Sequence, residues 1–176
     1  MAAEKWTFDV AHSSVGFSVR HLMISKVHGN FKQWSGHIEF DEQNPTASSV
    51  EVEIDVASID TQEAQRDGHL KSPDFFDVAK YPHLTFKSTS VEKKGETLAV
   101  HGDLTLHGVT KPVTLGVEFH GRAKHPMNGS ERAGFSAHTH INRKDFGLGW
   151  NAVLEAGGVA VSEKVEIAIE IQAVKA

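Results

Sequence analysis

Cysteine is absent from this chain of 176 residues. Disulfide frameworks, thiol nucleophiles, iron–sulfur clusters and cysteine-based zinc sites are therefore excluded. Long hydrophobic runs are absent as well, because the longest stretches without a charged residue, 10–19 and 133–142, span only ten residues each. A helix that crosses a bilayer needs roughly 18 apolar residues. The sequence therefore predicts no transmembrane helix.

An excess of positive charge is also missing. Lysines and arginines number 18 against 23 aspartates and glutamates, which gives a net charge of −5, and no basic run is longer than Lys93-Lys94. A duplex nucleic-acid surface usually needs clustered positive charge, so we expect no nucleic-acid partner. The first five residues lack the apolar segment of a secretory signal. This predicts a cytoplasmic protein, or a periplasmic one if a signal peptide has been removed.

Alternation of apolar and polar residues is the dominant pattern. The clearest case is 50–56, where valine and isoleucine take the even positions and carboxylates take the odd ones. A period of two is typical of strands with one buried face, and we count about nine such strands. The other eight contain the apolar series that begin at Trp6, Val15, Ile38, Leu84, Leu98, Val113, Gly134 and Val165.

Turn signals separate these strands and favour antiparallel neighbours. They occur at 41–45, 93–96, 106–112 and 128–129. The segment 60–78 differs, because Asp60 is a suitable N-cap with Glu63 three residues later, and Ser72 precedes a proline suited to a first helical turn. This segment predicts two short helices.

The fold class that follows is all-β. Antiparallel strands with one apolar face form either a sandwich or a closed barrel, and periodicity alone leaves both open. A charged fraction of 23% with only 5 prolines argues against a long disordered region. Since no repeat or linker divides the chain, we expect one domain over residues 1–176.

Six sequence pieces, in a fixed order, resemble the YceI-like or polyisoprenoid-binding family over nearly the whole chain. They are His12 to His21, Gly29 to Phe31, His69 to Val78 followed by Tyr81-Pro82, Gly102 to Val113, Arg143 to Gly147, and the strand that starts at Val165. The resemblance implies an extended, lipocalin-like antiparallel β-barrel of about eight strands with one or two short helices. It also implies a pore that holds a long isoprenoid chain, and no established catalytic activity.

The alternation along each strand predicts which residues face the barrel interior. A barrel of eight strands either fills with side chains or holds one small ligand, and small residues at Gly102 and Ser88 fit both outcomes. The resemblance favours a channel. The inward residues assigned to ligand binding are Phe17, Val19, Phe40, Val52, Ile54, Leu84, Phe86, Leu104, Leu106, Leu115, Val117, Phe135, Ile141, Ile167 and Ile169.

Three further candidates lie at the ends of this pattern. Phe75 and Phe76 belong to the helical segment, where they either cap one mouth and touch the end of the ligand or merely seat the helix. His21 continues the inward series of its strand. A buried polar group needs a partner, so His21 is expected either to bind a ligand headgroup or to be a satisfied core histidine.

Arg143 and Asp145 keep the inward parity of Phe135 and Ile141 unless a bulge resets the register. We expect them to form an ion pair at one mouth, which seals the barrel or recognises a polar headgroup. Phe146 follows them and joins the ligand-binding set.

Histidine is abundant, with 12 residues, and it supplies an alternative function. His138 and His140 lie on the same face of a strand, a spacing found in zinc sites. A metal site needs a third converging ligand, which the sequence does not identify, and His37, His101 and His120 fall on polar faces. Metal binding is kept as an alternative with no ligand set assigned.

Catalytic signatures are missing elsewhere. Residues 134–138 do not match a Gly-x-Ser-x-Gly elbow, and neither a His-Glu-x-x-His motif nor a phosphate-binding loop occurs. We therefore predict a soluble, non-enzymatic transport protein without a cofactor. It binds, stores or carries an isoprenoid amphiphile such as an isoprenoid quinone precursor. A homodimer stays open, and an enzyme acting on an amphiphilic substrate is a second alternative.

Overall fold

The computed structural model of the protein describes residues 3–151 and 160–176, which form eleven strands and one α-helix. The strands are β1 (Glu4–Phe8), β2 (Ser14–His21), β3 (Ser25–Phe31), β4 (Trp34–Phe40), β5 (Ser49–Asp55), β6 (Ile59–Asp60), β7 (His83–Lys94), β8 (Thr97–Leu106), β9 (Val109–Lys124), β10 (Glu131–Asn142) and β11 (Lys164–Lys175). The helix is α1 (Ala64–Lys71). Within these ranges no helix has the length and apolar character needed to cross a membrane.

All strands belong to one antiparallel sheet, in the order β1-β4-β5-β7-β8-β9-β10-β11-β2-β3-β6. A further pairing between β1 and β11 joins Trp6 to Lys175 and Phe8 to Ala173, and it closes the sheet. The lower part of β11 pairs with β1 and its upper part with β2, so β1 and β2 share one position in the wall. Likewise, β3 and β4 share one position in the wall, and β5 and β6 share another. The result is a closed, lipocalin-like barrel of eight strand positions, which confirms the predicted fold and excludes the sandwich.

Alternation determines which side chains the wall turns inward. On β5, Val52 pairs with Phe86 and Ile54 pairs with Leu84 of β7, and these four side chains lie inside. Glutamates between them point to solvent. Since each strand repeats this pattern, the barrel has an apolar interior and a charged exterior.

One α-helix follows β6, where two were predicted. Its N-cap is Glu63, whose side chain accepts a hydrogen bond from the Arg66 amide, whereas Asp60 belongs to β6. Ser72 ends the helix with an extended backbone, and its hydroxyl donates to the His69 carbonyl. The predicted cap at Asp60 and the second helix from Ser72 are therefore wrong. The Asp60 carboxylate accepts a hydrogen bond from the Gln62 amide, before the helix begins, and Ser72 bonds back to the last turn of the helix.

The lower end of the barrel, where β1 starts and β11 ends, is packed around Trp6. Its side chain is 0% exposed, and the Arg122 guanidinium lies over its ring at 5.0 Å. Arg122 and Lys175 each bind both Glu4 and Glu131, with nitrogen–oxygen distances of at most 3.3 Å. The hydrogen bond from Lys175, with help from Arg122, lowers the pKa of Glu4 and of Glu131 below the usual value.

The upper end, which carries α1, is organised by Arg143. Its side chain is only 3% exposed, and its guanidinium donates to the carbonyls of Ser162 (2.8 Å), Leu148 (2.5 Å) and Val161 (3.2 Å). Burial lowers the pKa of Arg143, while the carboxylate of Glu163 acts in the opposite direction. The side chain thus holds together the chain segments that follow β10 and precede β11.

Asp145 does not pair with Arg143. Strand β10 ends at Asn142, whose side chain caps a 3-10 turn over Arg143–Phe146. This turn ends the alternation, so Asp145 is exposed and, among the described residues, has no ion pair with Arg143, while Phe146 is buried in the core. The predicted inward orientation of Asp145 and the predicted ion pair are wrong for this reason.

The ion pairs at the lower end predict a loss of stability in acid. A carboxylate whose pKa is lowered by folding contributes stability that is present above its unfolded pKa and is lost as the pH falls through its folded pKa. In urea titrations between about pH 5 and pH 3, we expect Glu4→Gln combined with Glu131→Gln to flatten the pH dependence of unfolding. Glu118→Gln, an exposed position on β9 without an ion pair among the described residues, is the control and should leave the dependence unchanged. Equal slopes for all three proteins would contradict the prediction.

Replacing Arg143 tests its role at the upper end. Arg143→Met leaves three carbonyl groups without their donor, so we expect the free energy of unfolding to fall by about 3 kcal/mol. Lys144→Met removes only the exposed ion pair to Glu163 and should change stability little. Urea denaturation of both variants measures the difference, and similar values would show that the buried hydrogen bonds are unimportant.

Candidate functional site: an apolar cavity in the barrel

The barrel encloses a cavity of about 430 Å³. Its lower part contains a cluster of aromatic rings, in which Phe40 lies 4.9 Å from Phe119 and 5.2 Å from Phe135 between ring centroids. Its upper part reaches exposed residues such as His21 and Trp150, so the cavity has a mouth at the upper end. The wall between these levels is mostly apolar and mixes aliphatic side chains with rings such as those of Phe17 and Phe86.

Most of the predicted ligand-binding residues come together in this cavity. All of them line it except Asp145 and Phe146. Their inward placement follows from the strand alternation described above. Their contact with a ligand stays a prediction.

Gly102 and Ser88, which from the sequence fit either a channel or a packed core, do not open a channel. A Cβ atom on Gly102 would lie 2.5 Å from the ring of Phe86, so that ring already occupies the space. The Ser88 hydroxyl accepts a hydrogen bond from the Val50 amide, and a bulge after Ser88 shifts the register so that Val91 lies inside. A barrel of eight strands can hold one small ligand, and empty volume remains inside this one although these two positions are filled.

Sequence reasoning missed Val27 and Phe31, which line the cavity from β3, a strand that was not predicted, and two further kinds of lining residue. The first kind shares the inward parity of its predicted neighbours, so alternation was a sufficient signal. These are Ile38, Val50, Val100, Val113, Ala137 and Ile171. The second kind comes from α1 and the loops, which reach the cavity only through tertiary structure and carry no local signal. These are Thr61, Arg66, His69, Leu70, Leu148 and Trp150.

An aromatic cluster borders the mouth. Phe75 lies 5.1 Å from His69 and 5.2 Å from Trp150 between ring centroids, and His69 lies 4.9 Å from Trp150. Phe76 packs on Phe31 at 6.2 Å, further inside the barrel. Phe75 and Phe76 therefore lie at one mouth, and they also attach the helical segment to the wall.

Polar side chains on the cavity wall are concentrated at this mouth. The Arg66 Nε donates to the Thr61 hydroxyl at 2.8 Å, and that hydroxyl donates to the Asp67 carboxylate at 2.5 Å. The His21 side chain is exposed and makes no hydrogen bond to another described residue, so it is neither enclosed in the cavity nor a satisfied core histidine. The reason is that β2 extends beyond the rim of the barrel and ends at His21.

The histidine pair considered for metal binding lies elsewhere. His138 and His140 are exposed on the outer face of β10. Within residues 3–151 and 160–176, no group of three or more histidine, aspartate or glutamate side chains is arranged to hold a metal ion. The metal alternative therefore gains no support from the described residues.

Comparison with known sequences identifies close relatives. A family model described as the YceI-like domain matches residues 6–173. Protein YceI of Escherichia coli O157:H7 is 45% identical over 164 residues, which cover 93% of this chain and 82% of that protein.

Solved structures share the barrel. BcnA of Burkholderia cenocepacia has a TM-score of 0.83 at 25% identity, covering 94% of this chain and 98% of that chain. A polyisoprenoid binding domain from Saccharophagus degradans, implicated in plant cell wall breakdown, has a TM-score of 0.68 at 18% identity over 100% of each chain. The latter likeness shows the fold alone. The family match, which confirms the resemblance found in the six sequence pieces, shows that this chain belongs to the YceI-like domain family.

Proposed function

We propose that this protein binds a lipid with a polyisoprenoid tail in the barrel cavity and stores or carries it. The observation that carries the proposal is the cavity of about 430 Å³ with a predominantly apolar wall of aliphatic and aromatic side chains. Small-molecule sites usually measure about 300–1,000 Å³, so the volume suits a ligand. Side chains such as Ile54, Leu104 and Ile167 offer no directional polar group, which favours a hydrocarbon chain over a polar metabolite.

The free energy of binding comes from the removal of the chain from water. Each five-carbon unit gains roughly 3 to 4 kcal/mol at about 0.8 kcal/mol per carbon, before the cost of ordering the chain. Several units in the cavity are therefore enough for stable retention. The branched methyl groups of an isoprenoid match a wall of valine, leucine and isoleucine, because both surfaces are irregular at the scale of a methyl group.

The distribution of polar groups orients the ligand. Thr61, Arg66 and His69 all line the cavity near the mouth. At the lower end the lining consists of aromatic rings and two serines, Ser48 and Ser49, and the Ser48 hydroxyl already accepts a hydrogen bond from the Asp41 amide. A polar headgroup placed at the lower end would lose its hydrogen bonds to water, at a cost of about 1 to 3 kcal/mol for each unpaired group. The tail therefore enters first, and the headgroup stays at the mouth.

Sequestration needs no covalent step. The hydroxyl of Thr61 already bonds both Arg66 and Asp67, and His69 bonds Asp74 at 2.8 Å. These side chains hold one another in place at the entrance, which supports a positioning role toward a headgroup. The proposed activity is accordingly that of a binding protein.

Extraction of the purified protein with organic solvent, followed by mass spectrometry, is expected to release an isoprenoid lipid. Added geranylgeraniol should raise the melting temperature of delipidated protein, because a ligand that binds only the native state stabilises it by about 2.7 kcal/mol at a hundredfold excess over Kd. Absence of lipid in the extract together with an unchanged melting temperature would refute the proposal.

Filling the cavity should abolish binding. Ala137 lines the cavity on β10, and Ala168 of the adjacent strand β11 is exposed on the outer face. We expect Ala137→Trp to weaken geranylgeraniol binding about tenfold or more, since the indole occupies space that the chain needs. Ala168→Trp is the matched control and should bind as the unmodified protein does. Titration by calorimetry, after a check of the melting temperatures, distinguishes the two, and equal affinities would place the ligand elsewhere.

A further inference from the structure

The turn between β2 and β3 exposes three consecutive large apolar residues. Leu22, Met23 and Ile24 are 40%, 55% and 80% exposed. Scattered apolar residues on a surface are ordinary, but a run of three at the tip of a hairpin is not. We refer to residues 22–24 as the apolar tip.

The backbone of the apolar tip adopts an uncommon conformation. Leu22 has a φ of 53° and Met23 a φ of 65°, in the left-handed region that glycine and asparagine adopt most easily. Bulky side chains at such positions cost stability, and this kind of cost is concentrated at functional sites. A sequence selected only for the hairpin would carry glycine or asparagine here.

Two cations lie directly below the apolar tip. Arg20 of β2 is paired in register with Lys26 of β3, so like charges stand opposite each other on the outer face. Such a pair destabilises an isolated sheet. Lys26 is partly compensated by Glu166 at 3.5 Å, whereas Arg20 has no ion pair among the described residues. On a protein with a net charge of −5, this pair favours an anionic surface next to the tip.

The apolar tip adjoins the mouth of the cavity. The Leu22 amide donates to the Ala160 carbonyl at 2.9 Å, and His21 forms a bridge with Val161. Val161 in turn accepts a hydrogen bond from the Asn151 side chain at 2.6 Å, next to Trp150 at the mouth. A surface that touches the tip is therefore close to the entrance.

We propose that the apolar tip docks this protein on an anionic lipid bilayer. The side chains of Leu22, Met23 and Ile24 insert at the level of the headgroups. Arg20 and Lys26, which are nearer the barrel than the tip, stay at the membrane surface beside the phosphates. Apolar residues flanked by cations are the usual pattern of interfacial membrane binding. Docking itself is independent of the cavity, but its use for lipid transfer between bilayer and barrel rests on the proposed function.

The small size of the patch favours a bilayer over a protein partner. A stable protein interface buries about 800 Å² on each side and engages roughly 20 to 30 residues per partner. The tip offers three apolar side chains on a narrow turn. Such a projection penetrates a fluid headgroup layer, which closes around it, whereas a rigid partner would need a matching pocket.

The absence of cysteine allows a direct test on the full chain. Ile24→Cys carries an environment-sensitive NBD fluorophore, and the matched control is Met127→Cys with the same label, since Met127 is 90% exposed at the opposite end of the barrel. Vesicles are equimolar phosphatidylcholine and phosphatidylglycerol, or phosphatidylcholine alone. The label at position 24 should brighten and shift to the blue with the anionic vesicles, and the label at position 127 should not. Equal responses at both positions, or none at position 24, would overturn the proposal.

Unlabelled variants separate the contribution of the apolar side chains from that of the two cations. Leu22→Asn, Met23→Asn and Ile24→Asn together keep residues that tolerate the left-handed backbone, and they should weaken vesicle binding about tenfold. Arg20→Gln with Lys26→Gln should also weaken binding to anionic vesicles about tenfold and leave neutral vesicles unaffected. Met127→Asn is the control.

Unchanged vesicle binding in the tip variant overturns the proposal, as does a change in its oligomeric state alone, which would assign the tip to a second copy. Vesicle binding by protein that yields no extracted lipid, and whose melting temperature geranylgeraniol leaves unchanged, would leave docking in place and reject the cavity ligand.

Discussion

The fold depends on the seam between β1 and β11, where only three residue pairs close the sheet. Without them both strands would expose unpaired edges, and water would reach the apolar interior. The ion pairs of the lower end lie on this seam. Glu4 belongs to β1, Lys175 to β11, Glu131 to β10 and Arg122 to β9, so the network spans four neighbouring strands. Because this network also covers Trp6, the same side chains support both the closure of the sheet and the packing of the lower end.

The two ends of the barrel differ in chemistry, and this difference gives the cavity a direction. At the lower end the cavity is lined mainly by rings and aliphatic groups, and the ion pairs of Arg122 and Lys175 with Glu4 and Glu131 lie outside this lining. At the upper end Arg143 satisfies backbone carbonyls that no strand can pair, and Thr61 and Arg66 form a polar rim. Among the described residues Arg143 bonds to carbonyl groups and forms no salt bridge, while the charge of Glu163 favours its charged form, so the guanidinium stabilises the loops at this end. An amphiphile therefore meets an end that accepts polar groups and, behind it, a space that excludes them.

Alternation was sufficient to predict the wall wherever strands run without interruption. Val52 and Ile54 lie inside as their parity requires, and so does most of the predicted ligand-binding set. The prediction failed where the backbone leaves that period. Asp145 points outward because a 3-10 turn starts after Asn142, which no alternation rule anticipates. The helical residues that line the mouth could not be predicted from the sequence for another reason. Their position depends on how the whole segment after β6 folds back over the barrel.

The cavity itself was the least predictable feature, and the reason bears on function. Phe86 fills the gap over Gly102, so this chain closes small voids where a neighbouring side chain can reach them. Elsewhere inside the barrel empty volume remains, and the wall residues that border it lack partners on one side, which forfeits dispersion energy. A hydrocarbon chain in that space supplies the missing contacts. The same wall residues therefore contribute to ligand binding and to folding stability, so a bound ligand stabilises the folded protein.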